Sequence, residues 1–511
     1  MSIRIALDEA PEFYTNLDFI RGRVILGLNR PETIGNIVVK LEGEAKTALE
    51  IGDRNQVLTN YSTSPLSSEL TAETHKLLYL VEQVYPDRRS AASVAVGAMP
   101  GVLNPGQHEF RFGFKVPLNN ICGDPNAMAA LNGIGGVGGP LNSSNFFGLA
   151  GFRTMDGSKQ LMLQHVRTTL PPSLTGFPRK AEIRYYIKVT IQRPGFFKEN
   201  WRYQVGFKFL PMESPRPPVT KQEAFARRPF VFKPRTPGPV KRKTSFFGSK
   251  NTQVETEEPT PPSVDMSARL PYPCILTCNQ PIPLRLVSKK LAPSQEQLYL
   301  ASLEIALLGF TNIRVYDVQH MEATRWVVCS ASNLSIPVGD PKDAVDTETV
   351  LPDHLWANQQ LPNTVAPSFT ACNLSRRYEI ELRISLSWGM PSKSGKVTAP
   401  YPQIITLPLK LSKVDIFSGI TPPKELVHAS TGRPQAPPLP PRTSTAQSAP
   451  HDPLYPPQLG SSNAPGHEDA PPSYDEAMAQ ELAGPQERPA YSGVTAENDP
   501  STMPPEKSGL H

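Results

Sequence analysis

The chain has 511 residues, of which 57 are proline, more than twice the usual share of about 5%. The prolines are concentrated in residues 213–269 and 421–511. Because proline lacks an amide hydrogen and breaks helices and central strands, this distribution excludes a single compact helical enzyme. The net charge of +5 is small for this length, so the composition does not indicate nucleic-acid binding.

Outside the proline-rich segments, apolar and polar residues alternate with the two-residue period of half-buried β-strands. The clearest alternating runs are residues 108–116, 181–192, 201–210 and 378–388, and shorter β-branched runs lie at 24–26 and 37–39. Residues 69–85 fit either a helix or a strand. Many short strands separated by glycine and proline turns predict an all-β protein built from β-sandwiches.

The chain divides into four predicted regions. The first is a β domain over residues 2–212, with a Gly-, Asn- and Ser-rich insertion at 119–158 that we expect to be flexible. A basic, proline-rich linker follows at 213–269, and a second β domain at 270–420. Residues 421–511 are expected to form a disordered tail, because few of their side chains could be buried in a core.

Several features indicate a cytoplasmic protein. The first ten residues include Asp8 and Glu9 and no apolar run, so we expect no signal peptide. The longest apolar stretch, residues 298–310, is too short to span a bilayer. The five cysteines are widely spaced, which is typical of reduced thiols.

The sequence contains no recognised catalytic or metal-binding motif. Residues 133–138 match a dinucleotide fingerprint by letters, but no helix begins after them, as phosphate binding requires. Cys274 and Cys278 would need two further ligands nearby to bind zinc, so we interpret them as core thiols. His108 and His165 are interpreted as structural residues within strands. We predict no enzyme, no catalytic residue, no cofactor and no metal site.

The tail contains one motif with a defined recognition chemistry, the PPxY sequence Pro471-Pro472-Ser473-Tyr474. Its two prolines favour the polyproline II conformation, so little entropy is lost on binding. Tyr474 adds a rigid ring with a hydroxyl group. WW domains offer a matching aromatic groove and tyrosine pocket. We therefore predict that Pro471, Pro472 and Tyr474 bind a WW domain, and residues 475–482 favour a helical turn directly after the motif.

Weaker motifs occur in the same tail. Pro437, Pro440 and Arg442 have the PxxPxR spacing of an SH3-domain ligand, with a plain proline-rich spacer as the alternative interpretation. Tyr455 and Tyr491 each lie two residues after a single proline and lack the first proline of PPxY. Either is at best a secondary WW site.

A basic cluster in the linker contains two candidate phosphorylation sites. Thr244 and Ser245 follow three consecutive cations, residues 241–243, and basic-directed kinases favour this arrangement. A phosphate would reverse the local charge and could be read by a phospho-dependent regulator. Contact with anionic lipid and a simple solvated linker are the alternatives.

Several segments together resemble the arrestins. The opening strands of an arrestin N-domain are similar to residues 21–24 and 37–45, and the most recognisable segment of that domain is similar to residues 103–117. The segment that follows is similar to residues 170–176, 184–186 and 193–195, and the arrestin C-domain is similar to residues 375–380 and 414–420. Taken in chain order, these segments extend over nearly all of residues 2–420. The PPxY tail resembles that of the alpha-arrestins, the arrestin-related trafficking adaptors, and the long insertions are similar to those of fungal members.

This resemblance implies two immunoglobulin-like β-sandwich domains, joined by a proline-rich linker, and no catalysis. It implies an adaptor that recruits a WW-domain HECT-type ubiquitin ligase through PPxY to membrane transporters or receptors and promotes their ubiquitylation and endocytosis. Such a protein is cytoplasmic and is recruited peripherally to the plasma membrane and endosomes. The alternative is an arrestin-fold scaffold in an ambient-pH or receptor pathway, or a sorting-coat subunit, acting without a ligase.

Overall fold

The chain folds into two β-sandwiches, as the alternating apolar pattern predicts. The computed structural model describes residues 1–51, 69–86, 101–129, 160–195, 198–235, 260–362, 364–390, 402–431, 479–485 and 488–489. The first sandwich spans the predicted N-terminal β domain. The second spans the predicted second β domain and part of the predicted linker.

Two antiparallel sheets form the first sandwich. Its strands are β1 (Ser2–Leu7), β2 (Phe19–Leu28), β3 (Glu32–Ile34), β4 (Ile37–Ile51), β5 (Glu69–Tyr85), β6 (Gly101–Leu103), β7 (Gly106–Lys115), β8 (Leu174–Phe177), β9 (Ala181–Ile191) and β10 (Trp201–Phe207). One sheet has the order β1-β2-β7 and the other β10-β9-β4-β5, with β8 on β9 and a separate β3–β6 pair. Apolar side chains from both sheets share one buried core, which confirms the predicted inward faces.

The segment that fits either a helix or a strand is the strand β5. It pairs with β4 along its whole length, and a register shift places one extra residue, Leu77, between the partners of Gly43 and Glu44. This β-bulge interrupts the two-residue period, so Leu77 and Leu78 are both buried. The interrupted alternation explains why the sequence also fits helical spacing.

The second sandwich also has two sheets, which are antiparallel except that its strand 275–277 pairs in parallel with its last strand. Its strands are β11 (Glu223–Val231), β12 (Ser263–Pro271), β13 (Ile275–Thr277), β14 (Arg285–Lys290), β15 (Leu298–Val315), β16 (Val318–Ala331), β17 (Ile336–Pro337), β18 (Glu348–Val350), β19 (Phe369–Thr370), β20 (Leu374–Trp388) and β21 (Gln403–Phe417). One sheet has the order β11-β12-β14-β18 and the other β13-β21-β20-β15-β16, with β17 on β15 and β19 on β20. Both sheets contribute to one core.

The predicted linker over residues 213–269 is wrong in its boundaries. β11 and most of β12 lie inside it, and the two strands pair along the whole of β11. Pro229 is compatible with this pairing because β11 is the terminal strand of its sheet, where a missing amide hydrogen is tolerated. Phe232 follows β11, is buried, and packs edge-on against Trp388 with ring centroids 6.1 Å apart. Residues 236–259, which include Thr244 and Ser245, lie outside the described residues.

The insertion predicted to be flexible and the tail predicted to be disordered both contain residues with a described structure. Within the predicted insertion, helix α1 (Pro125–Ala129) buries Met128, whereas residues 130–159 lie outside the described ranges. Within the predicted disordered tail, helix α2 (Lys424–Thr431) follows the second sandwich, and residues 479–485 and 488–489 pack against the folded domains. Among the described helices, none is long and apolar enough to cross a membrane.

Candidate functional site

The described tail residues 479–485 and 488–489, here called the docked tail segment, contact the first sandwich beside β7 and the loop before β2. The Lys115 ammonium donates hydrogen bonds to the backbone carbonyls of Ala479, at 2.7 Å, and Gln480, at 2.6 Å. Ala479 is buried in a hydrophobic cluster that joins the second core to Phe13 and Leu17 of the first sandwich, and Leu482 packs against this cluster. Pro489 lies beside Gly419, just after the last strand of the second sandwich. The docked tail segment therefore contacts both domains.

At the other end of the segment, Arg488 neutralises a buried carboxylate. Its Nη2 lies 2.7 Å from Oδ1 of Asp18, and its Nη1 donates to the carbonyl of Phe13 at 2.8 Å. Burial raises the pKa of Asp18, while the amide of Thr15 and the charge of Arg488 act in the opposite direction. Gly484 lies so close that a Cβ there would clash with Oδ1 of Asp18. The segment is thus held by charge and by a close backbone approach.

The residues predicted to recognise partners lie outside the described ranges. They are the WW-binding Pro471, Pro472 and Tyr474, the SH3-type Pro437, Pro440 and Arg442, and the candidate phosphosites Thr244 and Ser245. Each stays a prediction. The helical turn predicted over residues 475–482 is helical at 479–481. Sequence reasoning missed the docked tail segment because contacts between residues so distant in the chain leave no local pattern.

Polar contacts join the two sandwiches. Arg314, at the end of β15, forms an ion pair with Glu73 of β5 at 3.1 Å, and its carbonyl accepts a hydrogen bond from Thr47 Oγ1 at 2.7 Å. The Asn373 amide donates to Thr47 Oγ1 at 3.0 Å and to the Ala45 carbonyl at 3.2 Å. Burial tends to raise the pKa of Glu73, but hydrogen bonds and nearby positive charge hold it below the usual value. These contacts fix the orientation of one domain against the other.

Beside this contact, four side chains that could hold a metal ion converge. One potential ligand atom from each of His75, Cys122, His165 and Cys372 lies within 4.8 Å of the others. The Sγ atoms of Cys122 and Cys372 are 3.2 Å apart. The hydrogen bond between the two thiols lowers the pKa of Cys372 and raises that of Cys122.

Sequence analysis did not predict this cluster. The four residues come from β5, the loop before α1, the loop before β8 and the turn before β20, so no ligand spacing could reveal them. The prediction that His165 lies within a strand is also wrong, because this residue lies in a loop. His108 does lie in a strand, β7. Cys274 and Cys278 lie in the second core, as predicted.

A second buried polar cluster lies on the first sandwich. The Lys76 ammonium contacts the carboxylates of Glu42 and Glu44, and Tyr186 donates to Glu44 at 2.6 Å. Burial alone would lower the pKa of Lys76, but the two carboxylates raise it. All of its charges are paired, so we interpret the cluster as structural.

Comparison with known proteins agrees with this architecture. Residues 3–124 match the model of the arrestin (or S-antigen) N-terminal domain. Among curated proteins, the chain is similar to "Arrestin-related trafficking adapter 10" of the fungus Lachancea thermotolerans, with 30% identity over 125 residues. This alignment covers 24% of the present chain and 28% of the relative, so the chain matches less than a third of that relative's length.

The two β-sandwiches and the matched N-terminal domain define an arrestin-fold protein. Within the arrestin-fold proteins, the similarity points to the fungal trafficking adapters. The chain therefore contains an arrestin N-terminal domain, and over about a quarter of its length it is similar to an arrestin-related trafficking adapter.

Proposed function

We propose that the protein is a non-enzymatic adaptor that recruits a WW-domain HECT-type ubiquitin ligase to membrane transporters or receptors. Pro471, Pro472 and Tyr474 bind the ligase, and the arrestin-like domains bind the cargo. The ligase then ubiquitylates the cargo and promotes its endocytosis. The adaptor acts from the cytoplasm and is recruited peripherally to the plasma membrane and endosomes.

The observation that carries this proposal is the docked tail segment. It begins at Ala479, five residues after Tyr474, and is held by Lys115 and Arg488. Covalent continuity therefore keeps the PPxY motif close to the two sandwiches, since five residues of extended chain span at most about 17 Å. A ligase bound there would be close to a cargo bound by the same domains.

The name of the curated relative gives further support, because that protein is called a trafficking adapter. Ligase recruitment by this chain rests on the chemistry of PPxY itself. Its two prolines are pre-ordered for an aromatic groove, and its tyrosine supplies a buried anchor. One complete PPxY motif occurs in the sequence, so the affinity depends on this site without the avidity that a second complete motif would add.

Ubiquitylation of membrane proteins in cells tests the proposal. Cells producing the full chain, the Tyr474→Ala variant or the Tyr491→Ala variant would be compared by quantitative mass spectrometry of ubiquitin-modified peptides. Tyr491 is the matched control, because it also lies two residues after a proline but lacks the first proline. We expect Tyr474→Ala to abolish the modification of a set of transporters or receptors and Tyr491→Ala to preserve it. Unchanged modification in Tyr474→Ala would favour a scaffold that acts without a ligase.

A further inference from the structure

The cluster at the domain contact has the composition of a complete zinc site. It offers two thiols and two imidazoles, from His75, Cys122, His165 and Cys372. Two thiolates and two neutral imidazoles are a common ligand set for structural zinc. His75, Cys122 and Cys372 are buried, and His165 is half-buried.

The distances suit an ion of this size. With Zn–S bonds near 2.3 Å and Zn–N bonds near 2.0 Å, tetrahedral ligand atoms lie about 3.3 to 3.8 Å apart. The two Sγ atoms are 3.2 Å apart, and Nδ1 of His165 lies 3.9 Å from Sγ of Cys372. All four potential ligand atoms are within 4.8 Å of one another. Changes of about 1 Å in these separations would allow all four to reach one ion.

Each imidazole is oriented by a hydrogen bond at Nε2, the ring nitrogen that points away from the cluster. Nε2 of His75 lies 2.5 Å from Oε1 of Glu73, and Nε2 of His165 lies 2.7 Å from the carbonyl of Gln160. With Nε2 as the donor in each case, Nδ1 keeps its lone pair and faces the cluster. A carboxylate or carbonyl behind a ligating histidine is the usual outer arrangement of zinc sites.

The inner ring nitrogen of His75 is enclosed by the cluster. Its Nδ1 is fully buried and cannot reach water, and the polar group it interacts with is the thiol of Cys372. An imidazole nitrogen and a thiol that face each other in this way are placed to bind the same metal ion.

We propose that His75, Cys122, His165 and Cys372 bind one structural zinc ion that joins the two domains. Three of the ligands belong to the first sandwich and Cys372 to the second. Four protein ligands leave no open position for substrate, which is typical of structural and not catalytic zinc.

Charge and protons balance at the proposed site. Each thiol loses its proton to solvent as its Zn–S bond forms, and two thiolates neutralise the divalent cation. The amide of Val166 lies 3.4 Å from Sγ of Cys372, where it can donate to a thiolate. Glu73 stays balanced by Arg314, 3.1 Å away.

Metal analysis of the purified full chain tests the proposal. Inductively coupled plasma mass spectrometry is expected to give about one zinc per chain for the wild type and for Cys329→Ser, and almost none for Cys372→Ser. Cys329 is the matched control because it is a buried thiol of the second sandwich outside the cluster. Equal zinc in Cys372→Ser and the wild type would overturn the proposal.

Because Cys372→Ser could fail to fold, a measurement on the wild type decides independently. The full chain, stripped of metal under reducing conditions and titrated with Co²⁺, should develop the visible bands of tetrahedral cobalt and a thiolate charge-transfer band at one equivalent. Absence of these bands would contradict the proposal. So would a Cys122–Cys372 disulfide, detected by peptide mass spectrometry without reduction in metal-free protein as purified. Neither result bears on the WW-binding motif, so the proposed adaptor function would stand.

Discussion

Arg488 of the tail and Asp18 of the first sandwich form an ion pair, with 2.7 Å between Nη2 and Oδ1, although they are 470 positions apart. Asp18 is buried and Arg488 is partly exposed. Because the carboxylate is enclosed, the guanidinium stabilises it more than a surface pair would. This contact fixes the end of the docked tail segment.

Replacing Arg488 should release the docked tail segment. Arg488→Ala leaves the Asp18 carboxylate without its cation, and losing hydrogen bonds to a charged group costs roughly 1.5 kcal/mol or more. The amides of residues 479–485 should then exchange at least about tenfold faster in hydrogen–deuterium exchange. Gly484→Ala should have a similar effect, because its Cβ would meet Asp18.

The control for this experiment is Arg433→Ala, which changes a tail arginine outside the docked tail segment. Exchange at residues 479–485 should be unaffected by it. If Arg488→Ala also leaves the exchange unchanged, the contact with Asp18 does not hold the tail.

Phe232 should contribute to the stability of the second sandwich, although the sequence assigned it to the linker. Its ring is 1% exposed and packs against Trp388. Phe232→Ala should lower the free energy of unfolding by about 3 kcal/mol, as a large cavity in a core does. Phe225→Ala is the control, because Phe225 is 60% exposed on β11, and it should change stability by less than about 1 kcal/mol. Equal effects of the two substitutions in urea denaturation would place Phe232 outside the core.

Lys76 should be needed to balance the buried carboxylates of Glu42 and Glu44. Lys76→Met leaves both charges without their buried cation, so we expect unfolding to become easier by about 3 kcal/mol. Lys46→Met removes another cation next to Glu44, but Lys46 is 43% exposed, and its loss should cost less than about 1 kcal/mol. Thermal and chemical denaturation would compare the stability of the two variants. A Lys76→Met protein as stable as Lys46→Met would contradict this interpretation.

Glu32 should make part of the stability depend on pH. Hydrogen bonds from Lys198, at 2.8 Å, and Arg193, at 2.9 Å, lower the pKa of this carboxyl in the folded state. The unfolded carboxyl titrates near pH 4.3, so the stabilisation is complete above about pH 4.3 and is lost as the pH falls through the lower folded pKa. Urea denaturation should therefore show wild type more stable than Glu32→Gln at pH 7, with a smaller difference at pH 3. A difference independent of pH would refute this role.

Much of the fold could be predicted because strand burial has a local signature. On β20, Tyr378, Ile380 and Leu382 are buried one after another on the predicted face. The predicted all-β class follows from many such runs. The two-residue alternation of buried and exposed side chains is interrupted in β5, because the bulge at Leu77 shifts it by one position.

The missed features depend on tertiary contacts. The strand β11 was not predicted, because its segment is rich in proline. Pro229 is tolerated because β11 lies at the edge of its sheet, and the sequence alone does not show this position. The metal-binding cluster unites residues as far apart in sequence as His75 and Cys372, and only domain packing brings them together. The PPxY motif is different, because its recognition chemistry is contained in four consecutive residues.

The affinity of the full chain for an isolated WW domain tests the proposed adaptor most directly. Titration calorimetry should show binding at one site by the wild type. Tyr474→Ala should weaken binding by at least about 30-fold, because a buried aromatic anchor contributes about 2 kcal/mol or more. Tyr455→Ala and Tyr491→Ala should bind like the wild type. Equal binding by Tyr474→Ala and wild type would contradict recruitment of a ligase through PPxY.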